Sequence, residues 1–77
     1  MEDSIPMSKL SPGESGTVNT LTLSDVMRSR MRDIGVTPGT QVVCVGCSPM
    51  GDPAAFRIRG AIIALRRADC AHILLRR

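Results

Sequence analysis

The stretch Ser48-Pro49-Met50-Gly51-Asp52-Pro53 is the densest run of turn-forming residues in the chain. Its two prolines fix φ and remove backbone donors, and its glycine permits positive φ, so the backbone must reverse direction here. The β-branched run at 41–45 precedes the turn, and the runs at 56–60 and 61–65 follow it, joined by a tight glycine turn. This order predicts a small, turn-rich β structure.

The other strands follow from apolar patterning and turn signals. A first strand is predicted at 16–21, with Val18 facing inward, and the later strands at about 41–47, 54–59, 61–66 and 72–76. The segment 67–71 is short and tolerates helix, which predicts a single 3₁₀ turn. We therefore expect a mainly β fold, a small partly open barrel of about five strands with one short α-helix.

The helix is predicted between the first and second strands. Ser24 suits an N-cap, and Met27, Met31 and Ile34 recur at i, i+4 and i+7 as one apolar stripe. Gly35 follows directly and suits the position after the last helical residue. Together with the strand alternation, this stripe predicts ten residues that supply most of the core: Val18, Met31, Ile34, Val43, Val45, Phe56, Ile58, Ile63, Leu65 and Ile73.

Composition excludes several classes of binding protein. The chain has 77 residues, enough for one domain, and a domain of this size buries only about 60% of its unfolded surface. Phe56 is its single aromatic residue. Aromatic-lined grooves for proline-rich peptides and base-stacking platforms for single-stranded nucleic acids are therefore excluded in their usual form.

The sequence also predicts where the domain lies and in which compartment. Residues 1–8 mix acids, Ser, Pro and Met without a period, so we expect a flexible N-terminal tail before a domain at 9–77. The longest apolar run has five residues, and Glu2 and Asp3 stand where a signal peptide carries cations. Three cysteines, an odd number, fit a reducing compartment. These features predict a cytoplasmic protein that does not insert into the membrane.

The charge is mildly basic, with a formal net charge of +3. Arg28 and Arg32 are one helical turn apart, on the side of the helix away from its apolar stripe. One interpretation is ordinary solvation of a helix surface, and the other is an electrostatic docking face for an acidic protein or an anionic membrane surface. Under the second interpretation, the candidate partner-binding residues are these arginines and three residues of the rigid turn: Arg28, Arg32, Pro49, Met50 and Asp52.

Cys44, Cys47, Cys70 and His72 form a possible four-ligand zinc set, because zinc prefers tetrahedral thiolate and imidazole ligands. Against this, residues i and i+3 of a strand point to opposite faces, so Cys44 is better explained as a core thiol. Asp52, between glycine and proline, is better explained as a turn former than as a ligand. The residues show no catalytic site and no phosphate-binding loop, so we expect neither an enzyme nor a cofactor.

Several segments, in this order, resemble the FeoA domain, the small cytosolic component of bacterial ferrous iron uptake. The resemblance covers about residues 9–75 and rests on the following stretches: Leu10-Ser11-Pro12-Gly13-Glu14, Gly16-Thr17-Val18, 30–42, Ser48-Pro49-Met50-Gly51-Asp52-Pro53, Phe56-Arg57-Ile58-Arg59-Gly60 and 63–73. This sequence differs from the family pattern in its last strand, where Arg76 and Arg77 stand at a place that is often acidic. Its cysteines are also not part of that pattern.

The resemblance implies an SH3-like barrel without catalytic activity. It also implies an accessory or regulatory role through contact with FeoB, the ferrous iron transporter with a cytosolic GTP-binding domain. Through this partner the protein would be peripheral at the inner membrane. Two alternatives stay open. One is a stand-alone relative of the SH3-like C-terminal domain of metal-dependent repressors, although the domain begins too near Met1 for a winged helix to precede it. The other is a small zinc- or iron-binding protein that uses the cysteines.

Overall fold

The computed structural model describes residues 4–77 as a mainly β domain. Six strands form one antiparallel sheet in the order β1-β6-β2-β3-β4-β5, so β1 and β5 are the edge strands. The elements in chain order are β1 (Ser4–Pro6), a 3₁₀ turn (Met7–Lys9), β2 (Ser15–Leu21), α1 (Asp25–Asp33), β3 (Gln41–Cys47), β4 (Ala54–Ile58), β5 (Ala61–Leu65), α2 (Arg67–Cys70) and β6 (Ile73–Arg76). The segment predicted as a 3₁₀ turn is one turn of α-helix.

Helix α1 begins and ends where the sequence predicts. The Ser24 hydroxyl accepts a hydrogen bond from the Met27 N–H at 3.3 Å, which satisfies one of the free donors of the first turn. At the other end, Val36 N–H donates to the Met31 carbonyl and Gly35 N–H to the Arg32 carbonyl, at 2.8 and 3.1 Å. With Gly35 at a φ of +96°, this is a Schellman motif, which stops the helix and returns the chain to the sheet.

The core is one cluster of buried residues from the strands, the 3₁₀ turn, the loops and both helices, and it is aliphatic around one aromatic ring. Phe56 is 1% exposed, and Val18, Met31, Ile58, Leu65 and Ile73 are buried with it, as predicted. Ile34 and Ile63 are half-buried and pack against this core. Residues that the prediction did not include complete it: Met7, Leu10, Val36, Val42, Ala54, Cys70 and Leu75.

The predicted inward face of β3 was wrong. Val43 is half-exposed and Val45 is exposed, whereas Val42 and Cys44 are buried. Residues 42–45 are apolar on both faces of the strand, so alternation among them does not choose between the faces. Pairing with β4 decides the choice, since Val42 lies opposite Ile58 and Cys44 opposite Phe56. A bulge between Cys44 and Gly46 leaves Val45 outside this register.

The predicted flexible tail was wrong for residues 4–8, and residues 1–3 lie outside the described part of the chain. Strand β1 pairs with β6, with Ile5 opposite Leu75, and Met7 is fully buried. A domain with so little core volume gains from each buried apolar side chain, which offsets the entropy of ordering a short terminal segment. The folded unit therefore begins before residue 9.

The central position of Phe56 gives a stability prediction. Phe56→Ala should lower the free energy of unfolding by about 3–5 kcal/mol, because it removes buried surface and leaves a cavity in the middle of the core. Val26, which is 70% exposed, is the control, and Val26→Ala should change stability by less than about 0.5 kcal/mol. Urea unfolding measures both values. A loss below about 1 kcal/mol for Phe56→Ala would contradict its place in the core.

Candidate partner-binding site

Arg28 and Arg32 lie together on one side of a groove between α1, the end of β2 and the loop after α1. The groove has a volume of about 420 Å³. Both arginines are exposed, and Arg28 also donates to the Leu23 carbonyl at 3.3 Å, which ties its guanidinium to the start of the helix. The other lining residues are a mixture of apolar and neutral polar side chains: Asn19, Thr20, Leu21, Val36, Thr37 and Pro38. Such a groove suits an acidic surface with some apolar character.

The loop at 48–53 is held rigidly by its own hydrogen bonds and by Arg67. The Ser48 hydroxyl donates to the Asp52 carbonyl at 2.7 Å and accepts from the Asp52 N–H at 3.1 Å. The Arg67 guanidinium donates to the Gly51 carbonyl at 2.7 Å and to the Ser8 carbonyl at 2.9 Å. Three segments that are distant in sequence are therefore joined at Arg67.

The five predicted partner-binding residues do not all meet in one place. The lining of the arginine groove does not include Pro49, Met50 or Asp52. Met50 is 91% exposed at the tip of its loop and Pro49 is exposed beside it, so both are available for contact. The Asp52 carboxylate instead accepts the N–H of Arg67 at 3.0 Å and so caps the first turn of α2. Asp52 therefore holds the loop on the domain.

The cysteines and the histidine of the possible zinc set differ in burial. Cys44 and Cys70 are buried, whereas Cys47 and His72 are exposed. Within residues 4–77, no group of three or more His, Cys, Asp or Glu side chains is arranged to hold a metal ion. Burial, with a smaller contribution from the nearby carboxylates of Asp69 and Asp52, raises the pKa of the Cys70 thiol to about 12 against the lowering effect of Arg67. This raised pKa keeps the Cys70 thiol protonated at neutral pH in the metal-free protein.

Arg59 has a structural role that the sequence did not reveal. It occupies the β4–β5 turn at a φ of +51°, which is unusual for a residue other than glycine. Its guanidinium donates to the Gly35 carbonyl at 3.3 Å and to the Thr40 hydroxyl at 3.2 Å. Arg59 thus links the hairpin turn to the end of α1. In the sequence Arg59 is indistinguishable from Arg57, since both alternate with apolar residues as in an ordinary half-exposed strand.

A further groove, also not predicted, lies between α1 and the edge strand β5. It has a volume of about 470 Å³, and the residues that line it are Met27, Arg30, Met31, Ile34, Ile63, Ala64, Leu65, Arg66 and Asp69. The run Ala61-Ile62-Ile63-Ala64-Leu65 carries no charge and no proline, and this absence is a signal in the sequence that could have indicated the groove. Only the strand order shows that this run lies at the edge of the sheet.

None of the helices within residues 4–77 has the length and apolar character needed to cross a membrane.

The strand order, the short helices and the rigid turns define a small β domain of the SH3-like class. The family model of the FeoA domain matches residues 5–77 of this chain. This chain belongs to the FeoA family, a domain associated with ferrous iron transport, and the predicted resemblance is confirmed. The matched range also includes the strand β1 that the sequence analysis had assigned to a tail.

One curated relative is the Fe(2+) transport protein A/Fe(2+) transporter FeoB fusion protein of Porphyromonas gingivalis. It is 31% identical over 67 residues, which cover 87% of this chain and 8% of the relative. The chain therefore spans less than a tenth of the length of that relative.

Solved structures share the fold. A FeoA-like protein from Clostridium acetobutylicum is similar with a TM-score of 0.87 at 29% identity, covering 97% of this chain and 87% of that one. FeoA of Stenotrophomonas maltophilia, an SH3 domain protein solved in complex with zinc, has a TM-score of 0.73 at 25% identity and covers 90% and 86%. A manganese-dependent transcriptional repressor has a TM-score of 0.87 at 14% identity over 99% of this chain and 42% of the repressor, which shows the fold alone.

We predict that this protein folds without metal. Structural zinc typically contributes more than about 10 kcal/mol to a small domain, so chelation would unfold a domain that depended on it. Adding EDTA should therefore leave the circular dichroism spectrum and the melting temperature unchanged. Loss of the folded spectrum on chelation would instead support the four-residue set of Cys44, Cys47, Cys70 and His72.

The three thiols should differ in reactivity. Cys47 is exposed and should react with a thiol reagent in the native protein at pH 8, whereas Cys44 and Cys70 should react only after denaturation. Counting modified thiols by mass spectrometry, before and after adding denaturant, checks the prediction, and rapid labelling of Cys70 in the native state would contradict it.

The raised pKa of Cys70 means that the folded state favours its protonated form. This contribution to stability is complete below about pH 9 and is lost as the pH rises towards 12.

Proposed function

We propose that this protein is a non-enzymatic accessory protein of ferrous iron uptake and acts by binding a FeoB-type transporter on its cytosolic side. The observation that carries the proposal is the P. gingivalis relative, in which a domain like this one belongs to the same chain as the transporter FeoB. Two domains joined in one chain have a high effective concentration for each other. When the same two domains are separate proteins, they need complementary surfaces in order to bind.

The arginine groove supports such a contact. Arg28 and Arg32 are exposed and adjacent, and the groove lining includes no acidic residue. A positive face raises the rate of encounter with an acidic partner, and the effect weakens as salt screens it. The exposed Pro49 and Met50 form a second contact candidate, since the hydrogen bonds around Ser48 and Arg67 fix their loop before binding.

The experiment that tests the proposal measures binding between this protein and the purified cytosolic GTP-binding domain of a FeoB-type transporter. Isothermal titration or biolayer interferometry, with and without guanine nucleotide, gives the affinity. Saturable binding that weakens with added salt supports the proposal. Absence of binding with either form of the domain would contradict it.

The double variant Arg28→Glu, Arg32→Glu should weaken this binding by about tenfold or more, because each reversal replaces an attraction with a repulsion of the same partner charge. The melting temperature should change little, since both side chains are exposed. Ferrous iron uptake by cells that depend on the variant should fall in parallel with the affinity.

Arg77→Glu is the control for the single variant Arg32→Glu, because it makes the same change in net charge at the end of β6. Arg77 forms an exposed ion pair with Glu14 at 3.1 Å, and pairs of this kind contribute little to stability. Arg32→Glu should weaken binding more than Arg77→Glu does. Equal effects would mean that net charge alone steers the encounter, and normal uptake by the double variant would show that the arginines only solvate the helix.

A further inference from the structure

The open side of β5 has backbone donors and acceptors that no other strand within residues 4–77 pairs with. Strand β5 is the last strand of the order, and it pairs with β4 alone among the described strands. The two-residue turn Arg59-Gly60 has positive φ at both positions, as in a type I′ hairpin, and Ile58 and Ala61 close it. Hydrogen-bonded pairs alternate along an antiparallel ladder, so Ala61, Ile63 and Leu65 bond to β4. Ile62 and Ala64 therefore direct their N–H and C=O groups away from the sheet.

This edge lacks the devices that normally protect an edge strand. Natural edges carry charges, prolines or a covering segment, because a bare edge pairs with other chains. The run at 61–65 has no charge and no proline, and Ile62 is 57% exposed. The opposite edge strand, β1, has three residues within the described part of the chain. A five-residue apolar edge is thus the part of the sheet best suited to accept another strand.

The groove between α1 and β5 adds side-chain specificity beside this edge. Met27 and Ile34 of α1 and Ile63 of β5 are half-buried and line it, so an adjacent strand could bury alternate side chains against them. Arg30 and Arg66 also line the groove with a single acid, Asp69, which leaves an excess of one positive charge. Strand addition beside a groove of this kind takes affinity from backbone hydrogen bonds and specificity from alternate side chains.

We infer that β5 and the α1–β5 groove form a strand-addition site for an extended segment of the transporter's cytosolic region, with alternate apolar residues and an acidic residue at one end. The inference rests on the proposed function and deepens it. A second copy of this chain is a poorer occupant. Antiparallel pairing of two β5 strands about Ile63 brings Arg66 of each copy to the hairpin turn of the other, where Arg59 lies, and like charges in such positions are destabilising.

Amide hydrogen exchange tests the inference directly. In the free protein, measured by nuclear magnetic resonance, the amides of Ile62 and Ala64 should exchange fast, whereas those of Ile63 and Leu65 should be protected by β4. Saturation with the transporter's purified cytosolic domain should slow the exchange at Ile62 and Ala64 by about tenfold or more, as expected for amides that enter a ladder.

Two substitutions at Ala64 separate backbone pairing from side-chain contact. Ala64→Pro removes the outward N–H, and prolines are tolerated on edge strands where that group faces solvent. Ala64→Val adds similar bulk but keeps the N–H. Ala64→Pro should weaken binding by about tenfold, which corresponds to about 1.4 kcal/mol, whereas Ala64→Val, which changes the same lining residue but keeps its N–H, should weaken binding clearly less. The amide spectrum of each variant shows whether it is folded.

The outcomes separate this inference from the function on which it rests. Binding without protection of Ile62 and Ala64, or equal effects of the two Ala64 substitutions on folded protein, would overturn strand addition and leave the proposed function standing. Absence of binding by the unmodified protein would overturn both. Protection that appears with rising protein concentration, and without the transporter domain, would identify a second copy as the occupant and overturn the inference.

Discussion

Strand β6, at the end of the chain, lies between β1 and β2, and this placement holds the two ends of the protein in one sheet. Ile73 and Leu75 of β6 are fully buried, and Leu75 lies opposite both Ile5 of β1 and Val18 of β2. In a domain with one aromatic residue and a small core, losing either terminal strand would expose a large share of the apolar interior. The pairing of β1 and the burial of Met7 in the turn that follows it both depend on β6.

The hydrogen bonds of Arg67 and Arg59 perform a comparable task for the loops. Arg67 joins the loop at 48–53 to the segment after β1, and Arg59 joins the β4–β5 turn to the end of α1. Gly35 belongs to the same arrangement, because a Cβ at this residue would lie 2.8 Å from Cδ of Arg59. These arginines hold the scaffold, whereas Arg28, Arg30, Arg32 and Arg66 line its grooves. The basic composition therefore combines two uses of the same residue type, which explains why counting charges did not separate them.

Two surfaces near α1 are available to a partner, and they differ in physical character. The arginine groove offers charge and a modest apolar floor, which suits fast, salt-sensitive encounter. The α1–β5 groove offers unpaired backbone groups beside half-buried methionine and isoleucine, which suits slower, more specific pairing. The two grooves are lined by different residues of α1, so a partner that occupied both would contact this helix on two sides. The family assignment gives the biological setting in which both proposals are made.

The sequence by itself determined the elements whose signals are local. The cap at Ser24, the stripe of Met27, Met31 and Ile34 and the stop at Gly35 place α1 within a residue, because helix ends depend on neighbouring backbone groups. The order of short apolar runs and turns was enough to recognise the family. The candidate site was less predictable: Arg28 and Arg32 meet as expected from helical spacing, but the loop residues grouped with them line no part of that groove.

Only the tertiary structure decided the features that depend on pairing between distant segments. The inward face of β3 was set by its register with Phe56 and Ile58, since residues 42–45 are apolar on both faces of the strand. Residues 4–8 became part of the fold because β6 supplies a partner for them, a partner nearly seventy residues away in the chain. The open edge of β5 likewise has no local signature, since a strand is at an edge only when no other strand lies beside it. Local propensity carries no information on that arrangement, and packing of the whole chain determines it.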